Sequence, residues 1–289
     1  MLDYERVTAP LSLRTHSGEP LLLLHGLGTS RRDFTAVLPA LTDRFDVINV
    51  NLPGIGRSPH LEQHPTVAAI TDAVEHTLDA QGLDRVLVLG TSLGARIALE
   101  LAVRGRARSV VAIAPSGVNI PQERLYQGAT MGLARIVMRA AQPLIASLSR
   151  SAAGRAALLA PLKARPWSTS PEEAIGVREG FAESRDFGRT VLWALMLDVP
   201  RGLHRIDCPV TLVQGVADWV ASGQTVRYLP LIPGSRFSPL LMAGHAPQSD
   251  RPATIARLVE ETATRAAGRT ATLRAVALAP LPGDSSALR

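Results

Sequence analysis

Short runs of nearly unbroken apolar residues recur along this chain, and they restrict its fold more than any other feature. They occupy residues 21–24, 46–50, 85–89, 110–114, 210–213 and 237–242, and most stop at a glycine or proline. A run of four to six residues that is apolar at nearly every position suits a strand covered on both faces. Between the runs lie longer stretches with helical patterning, at residues 31–41, 66–81, 93–104 and 247–267. Such alternation predicts an α/β protein with a mostly parallel central sheet and helices on both faces. With 46% hydrophobic residues among 289, the chain has enough apolar material for a large core.

Residues 117–200 break the alternation. They contain no clear strand, carry helical stretches at 122–139 and 172–181, and are divided by Pro143, Pro161, Pro166 and Pro171. This predicts a helical lid inserted between two strands of the main sheet. The expected organisation is a core of residues 1–116 and 201–268, a lid of residues 117–200, and a flexible tail at 269–289.

The net charge of +6 comes almost wholly from arginine, since Lys163 is the only lysine. The cations form no run and aromatic residues are only 4%, so no stacking platform for nucleic acid is expected. The single cysteine, Cys208, cannot form an intramolecular disulfide and is expected to be a small buried apolar group. The first residues lack a basic stretch followed by an apolar one, and no apolar stretch approaches the ~20 residues that span a bilayer. A cytoplasmic protein without a membrane span is therefore expected. His60 and His64 are four apart, but Pro59 and Pro65 deny them the helix that would align them, and His16, His76 and His204 stand alone. Neither a metal nor a cofactor is expected.

The chemistry centres on Gly90-Thr91-Ser92-Leu93-Gly94, between the apolar run at 85–89 and a helical pattern. A sharp strand-to-helix turn exposes a serine hydroxyl at the edge of a sheet, and glycines two places either side remove clashing side chains. A hydroxyl there needs a base and donors for the oxyanion. The turn His25-Gly26-Leu27-Gly28 follows the first buried run, so the backbone N–H groups of Leu27 and Leu93 are the expected oxyanion hole. His25 itself is expected to brace its loop through backbone hydrogen bonds.

With these motifs the chain resembles the lid-bearing serine hydrolases of the α/β-hydrolase superfamily over about residues 19–258. The resemblance implies the order nucleophile, acid, histidine. It places the acid at Asp218, after the run 210–213 and Gly215, and the base at His245, within Ala243-Gly244-His245-Ala246-Pro247. Taken alone, Asp218 reads as a turn or N-cap residue and His245 as a loop histidine; their joint order and placement favour the catalytic reading. One departure is Asn51, in a turn where relatives usually carry aspartate, which puts a supporting salt bridge in doubt. A serine at position 92 also argues against haloalkane dehalogenases and epoxide hydrolases, which resemble this chain but use aspartate there.

The resemblance implies an acyl-enzyme and a small-molecule substrate, with a carboxylesterase for small to medium apolar esters as the first choice. A C–C bond hydrolase, a perhydrolase- or haloperoxidase-like enzyme, and a receptor that keeps the triad are the alternatives. Trp167, Phe181, Trp193, Met196 and Trp219 are the expected pocket residues, although they could equally pack the lid onto the core. The lid arginines Arg124, Arg135, Arg139, Arg178, Arg185 and Arg189 are expected to form a solvated face.

Overall fold

Four consecutive leucines, Leu21 to Leu24, are all fully buried. Strand alternation sends Leu22 and Leu24 into the apolar cluster on one face of the sheet and Leu21 and Leu23 into the cluster on the other. Each such side chain contributes about 1.5–3 kcal/mol by leaving water. A computed structural model, which describes residues 1–7, 18–221 and 223–278, arranges seven strands around this one. They are β1 (Tyr4–Val7), β2 (Glu19–Leu24), β3 (Phe45–Val50), β4 (Val86–Thr91), β5 (Ala107–Ile113), β6 (Val210–Gly215) and β7 (Arg236–Leu240). Their order across the sheet is β1-β3-β2-β4-β5-β6-β7. All neighbours run parallel except β1, which is antiparallel to β3. Strand β1 was not anticipated, because an edge strand is half exposed and carries no continuous apolar run.

The helices of the first half are α1 (Leu38–Thr42), α2 (Val67–Asp79) and α3 (Leu93–Val103). The single helix expected over 31–41 is instead a 3-10 turn, Arg31–Phe34, capped by Ser30, followed by α1 with a proline in its first turn. Between β5 and β6 lie α4 (Pro121–Ala140), α5 (Gln142–Leu148), α6 (Ala152–Leu159), α7 (Pro171–Arg178) and α8 (Phe187–Thr190). Two π-helical turns, Glu179–Glu183 and Val191–Leu197, flank α8. Beyond β6 come α9 (Gln224–Arg227), α10 (Pro247–Asp250) and α11 (Pro252–Leu278). The helix expected over 247–267 is thus divided at Arg251, because Pro252 has no N–H with which to continue the ladder. Helix α11 also continues to Leu278, past the point at which a loose tail was expected; residues 279–289 lie outside the described residues. Among the described residues, no helix is long and apolar enough to cross a membrane.

The arginines of the insertion do not form the solvated face expected of them. Arg135 donates to the carbonyls of Phe181 at 2.5 Å and Ser184 at 2.8 Å, and Arg139 to that of Ala182 at 3.3 Å. Arg189 reaches the carbonyls of Leu61, Glu62 and Gln63, and Arg124 that of Met196. Helix ends leave carbonyls without partners, and a planar guanidinium satisfies two at once. Arg178 pairs with Glu183, while Arg185 alone of the six is exposed without such a bond to a carbonyl.

Asn51 resolves its departure locally. Its amide donates to the Asp3 carboxylate at 2.9 Å and its oxygen accepts from the Arg31 N–H, while Asp3 pairs with Arg31 and Arg57. Burial works to raise the Asp3 carboxyl, but the Asn51 and arginine partners outweigh it and hold it below its ordinary value. The carboxylate missing from position 51 is supplied by the N-terminal segment.

Candidate active site

Strand β4 ends in a turn that only small residues permit. A Cβ on Gly90 would strike the Gly94 carbonyl, and one on Gly94 would strike the Leu24 carbonyl. Between them Ser92 has φ 55° and ψ −112°, a conformation that costs a non-glycine residue on the order of 1–3 kcal/mol. The Ser92 N–H still bonds the Ile113 carbonyl at 2.8 Å, so the strained residue remains tied to β5. Leu93 opens α3, where the first N–H groups have no carbonyl within the helix to bond.

Asp218 follows β6 and is nearly fully buried. Its Oδ1 accepts from the N–H groups of Val220 at 2.8 Å and Ala221 at 2.9 Å. Its Oδ2 accepts from Gln214 Nε2 at 2.7 Å and His245 Nδ1 at 2.9 Å. The carboxylate thus closes its own turn and also accepts from the histidine. Burial works to raise the carboxyl, but the His245 ring and the N–H donors outweigh it and bring it down to about 2. On His245 burial works downward, and the Asp218 carboxylate, with Asp33 beyond it, raises the ring above its ordinary value. The bond to Asp218 places the neutral ring's proton on Nδ1 and leaves Nε2 as the acceptor.

His25 is the opposite case. The Leu52 N–H donates to its Nε2 at 3.0 Å, so Nδ1 carries the proton and donates to the Gly26 carbonyl at 2.8 Å. Burial pushes it down to about 4 against the Gly26 carbonyl and the Glu179 carboxylate, which work to raise it, and it braces the loop as a neutral ring. The thiol of the buried Cys208 is pushed up to about 11, chiefly by burial.

Ser92 and His245 line one cavity of about 30 Å³. Its walls are Leu27, Met131, Leu162, Phe181, Leu195 and Val220, with Ser116 and Gln127 as further polar members. Leu27, the expected oxyanion donor from the first loop, is thus at the cavity with Ser92. Phe181 alone of the five expected pocket residues lies there, and its ring rests where a Cβ on Gly28 would be. Trp167 and Trp219 are more than half exposed. Trp193 stacks on His64 with ring centroids 3.9 Å apart, and it lines a larger hollow of about 430 Å³ beside Arg96 and Tyr228. Met196 lies against Gly128. None of these four lines the cavity with Ser92; Trp219 lies outside the insertion, in the loop after β6, and the sequence pattern could not reveal which side chains would face Ser92. His16 lies outside the described residues.

Several polar residues around His245 escaped the sequence reading. Asp250 accepts from Gly244 N–H at 2.8 Å, Ala164 N–H at 3.0 Å and Arg165 N–H at 2.9 Å, so one carboxylate ties the histidine loop to the insertion. Lys163 bonds Glu173 at 2.6 Å and Ser249 at 2.8 Å, and both members of the ion pair are buried. Asp33 accepts from Gln248 at 2.7 Å, and burial pushes its carboxyl up to about 6. The one available signal was Lys163, a single lysine in an arginine-rich chain.

Seven strands in this order, with a strained serine at the end of β4, an aspartate after β6 and a histidine after β7, are accompanied by a sequence match. Residues 21–258 match the profile of the Alpha/beta hydrolase family. The chain belongs to that family. Among curated relatives of this α/β-hydrolase is the epoxide hydrolase EphH of Mycobacterium tuberculosis, 28% identical over 204 residues, covering 66% of this chain and 92% of the relative. A thermophilic esterase from Thermogutta terrifontis superposes with a TM-score of 0.69 at 21% identity, over 92% of this chain and 93% of the other. A meta-cleavage product hydrolase from Pseudomonas fluorescens IP01 superposes with a TM-score of 0.67 at 18% identity, over 90% and 93%. At such identities the two structures establish the shared fold of this α/β-hydrolase and nothing finer.

Proposed function

We propose that the protein is a serine hydrolase that forms an acyl-enzyme, acting on small to medium, largely apolar carboxylic esters. The observation that carries this reading is the Asp218–His245 hydrogen bond at 2.9 Å, with His245 opening onto the same cavity as the strained Ser92. In the reaction, Ser92 Oγ bonds the ester carbonyl carbon while its proton passes to His245 Nε2. The carbonyl oxygen becomes an oxyanion that accepts from the Leu27 and Leu93 N–H groups. Asp218 keeps Nδ1 protonated and stabilises the imidazolium. The tetrahedral intermediate then breaks its bond to the alcohol oxygen, which takes the proton from His245. Water, deprotonated by the same ring, releases the acid and restores Ser92.

The six apolar side chains around Ser92 favour an apolar acyl group. Its present volume is about that of one water, so a substrate enters only as Phe181 and its helical neighbours move aside, which is the behaviour of a lid. The likeness to an epoxide hydrolase is not carried over, because this chain has serine where epoxide-opening members of the family place aspartate.

The test is labelling by a fluorophosphonate probe, wild type against Ser92→Ala, followed by a panel of p-nitrophenyl acyl esters. Labelling of the wild type alone, with turnover of the shorter apolar esters, is expected. A wild-type protein that resists the probe overturns the acyl-enzyme reading. Labelling without multiple turnover of any ester moves the protein to the class of ligand receptors.

A further inference from the structure

Helix α4 packs Met131, Ala134 and Met138 inward against the insertion's apolar cluster, yet its outward side is apolar as well. Its inward stripe holds Arg124, Gln127, Met131 and Arg135, with the arginines bonded to carbonyls of the π-helical turns. Its outward stripe is apolar: Leu125 is 71% exposed, Leu133 63%, Ile136 67% and Val137 50%. Leu133, Ile136 and Val137 have the three- and four-residue spacing that places side chains on one face, and Leu125 lies two four-residue steps before Leu133, across the exposed Ala129. The stripe continues onto Leu144 of α5, which is 61% exposed. Isolated exposed leucines are ordinary, but a continuous apolar stripe over two successive helices marks a surface that meets a partner.

Charge selects the partner. Residues 124–171 contain no aspartate or glutamate, and within them Arg139, Arg150 and Arg165 are exposed. Glu183 meets Gln142 of α5 at 3.4 Å but is already paired with Arg178, so two copies of this face would bring cationic rims together with little free acid between them, which opposes self-association. An anionic phospholipid surface offers what the face lacks: acyl chains for the stripe and phosphates for the arginines. Helices with an apolar outward face and flanking cations lie in the plane of such an interface. Trp219, 75% exposed, adjoins one end of α4, where the Tyr126 hydroxyl meets its carbonyl at 3.5 Å. Aromatic rings of this kind sit well at headgroup depth.

We propose that the outer face of α4 and α5, with its cationic rim, docks the protein peripherally onto anionic phospholipid bilayers. The face is already outward, so docking requires neither opening of the Ser92 cavity nor any hydrolytic activity.

The experiment is co-sedimentation of the full chain with phosphatidylcholine vesicles, with and without phosphatidylglycerol. The wild type is expected to sediment with the anionic vesicles and far less with pure phosphatidylcholine, and added salt is expected to weaken binding. The double variant Leu133→Glu/Ile136→Glu is expected to bind at least about tenfold more weakly. Its thermal unfolding should match the wild type, since both side chains project into solvent. Absence of binding to anionic vesicles overturns the proposal, as does a double variant that binds like the wild type. A wild type that light scattering shows to be a dimer, and that the double variant makes monomeric, assigns the face to a second copy instead.

Discussion

Leu22 in strand β2 and Lys163 in the helical insertion are almost equally buried, yet they stabilise their surroundings by different physics. Leu22 lies among apolar neighbours, where the favourable term is loss of water contact and any close-fitting apolar side chain serves. Lys163 is held by Glu173 and Ser249, and its favourable geometry does little more than offset the cost of removing two charges from water. The sheet therefore rests on many interchangeable contacts. The insertion has a small apolar cluster of its own, Leu159, Ala174, Val177, Phe181 and Phe187, and adds specific polar ties: an ion pair, the three-way grip of Asp250, and arginines on carbonyls.

The largest effect is expected at the point where the two regions meet, at His245. Asp218→Asn leaves the packing intact but no longer holds the ring in its working tautomer, and ester turnover should fall by about 10⁴-fold in steady-state assays. Breaking the insertion's ion pair comes next. Lys163→Ala strands the Glu173 carboxylate and should cost about 3–5 kcal/mol in urea unfolding, whereas Lys163→Met combined with Glu173→Leu should recover most of that loss. For the sheet, Leu22→Ala should cost about 2–5 kcal/mol in the same measurement through transfer and cavity terms. Rescue of the ion pair by an apolar pair, with no equivalent polar rescue at Leu22, would sharpen the contrast; failure of the double variant to recover would break it.

Asn51→Asp should destabilise by about 1–3 kcal/mol by facing a carboxylate against Asp3. Adding Asp3→Asn should restore stability if position 3 carries the charge that position 51 has lost, and thermal unfolding of the three variants reads this directly. The smallest effect is on pH dependence. His245 must be neutral to accept the Ser92 proton, and its pKa is raised, so the acid limb of kcat/KM should fall above pH 6.5. For stability the signs are opposed. The raised His245 contributes fully below about pH 6.5 and loses its contribution as pH rises through the folded value. Asp218, lowered to about 2, contributes above its ordinary value near 3.8 and loses its contribution as pH falls toward 2.

Much of the fold was legible because β2 to β6 bury most of their residues on both faces, and such strands announce themselves as apolar runs, while the edge strand β7 is only half-buried. Strand β1 was not, since its four residues are half exposed and owe their pairing to β3. The division of the helices at 34–38 and at Pro252 was written in local signals, Ser30, Pro39 and Pro252, that lay inside longer apolar patterns. At the site, Ser92, Asp218 and His245 were legible because strand ends and glycine turns are properties of short segments. Four of five expected pocket residues were not, because short local patterns show that an aromatic or apolar side chain exists but not what it will meet. The acid-free stretch of residues 124–171 is plainly visible in the sequence, but the inward turn of its arginines is not.

The sequence by itself determined a doubly covered sheet and a serine in a turn that only flanking glycines allow, since backbone sterics and strand burial act over a few residues. Only the tertiary structure decided which carboxylate meets which partner: Asp218 to His245, Asp250 to the seam of the insertion, Asp3 to Asn51. Those pairings span 27 to 86 residues. Hydrogen-bond reach of about 3 Å is satisfied only after the whole chain has been placed.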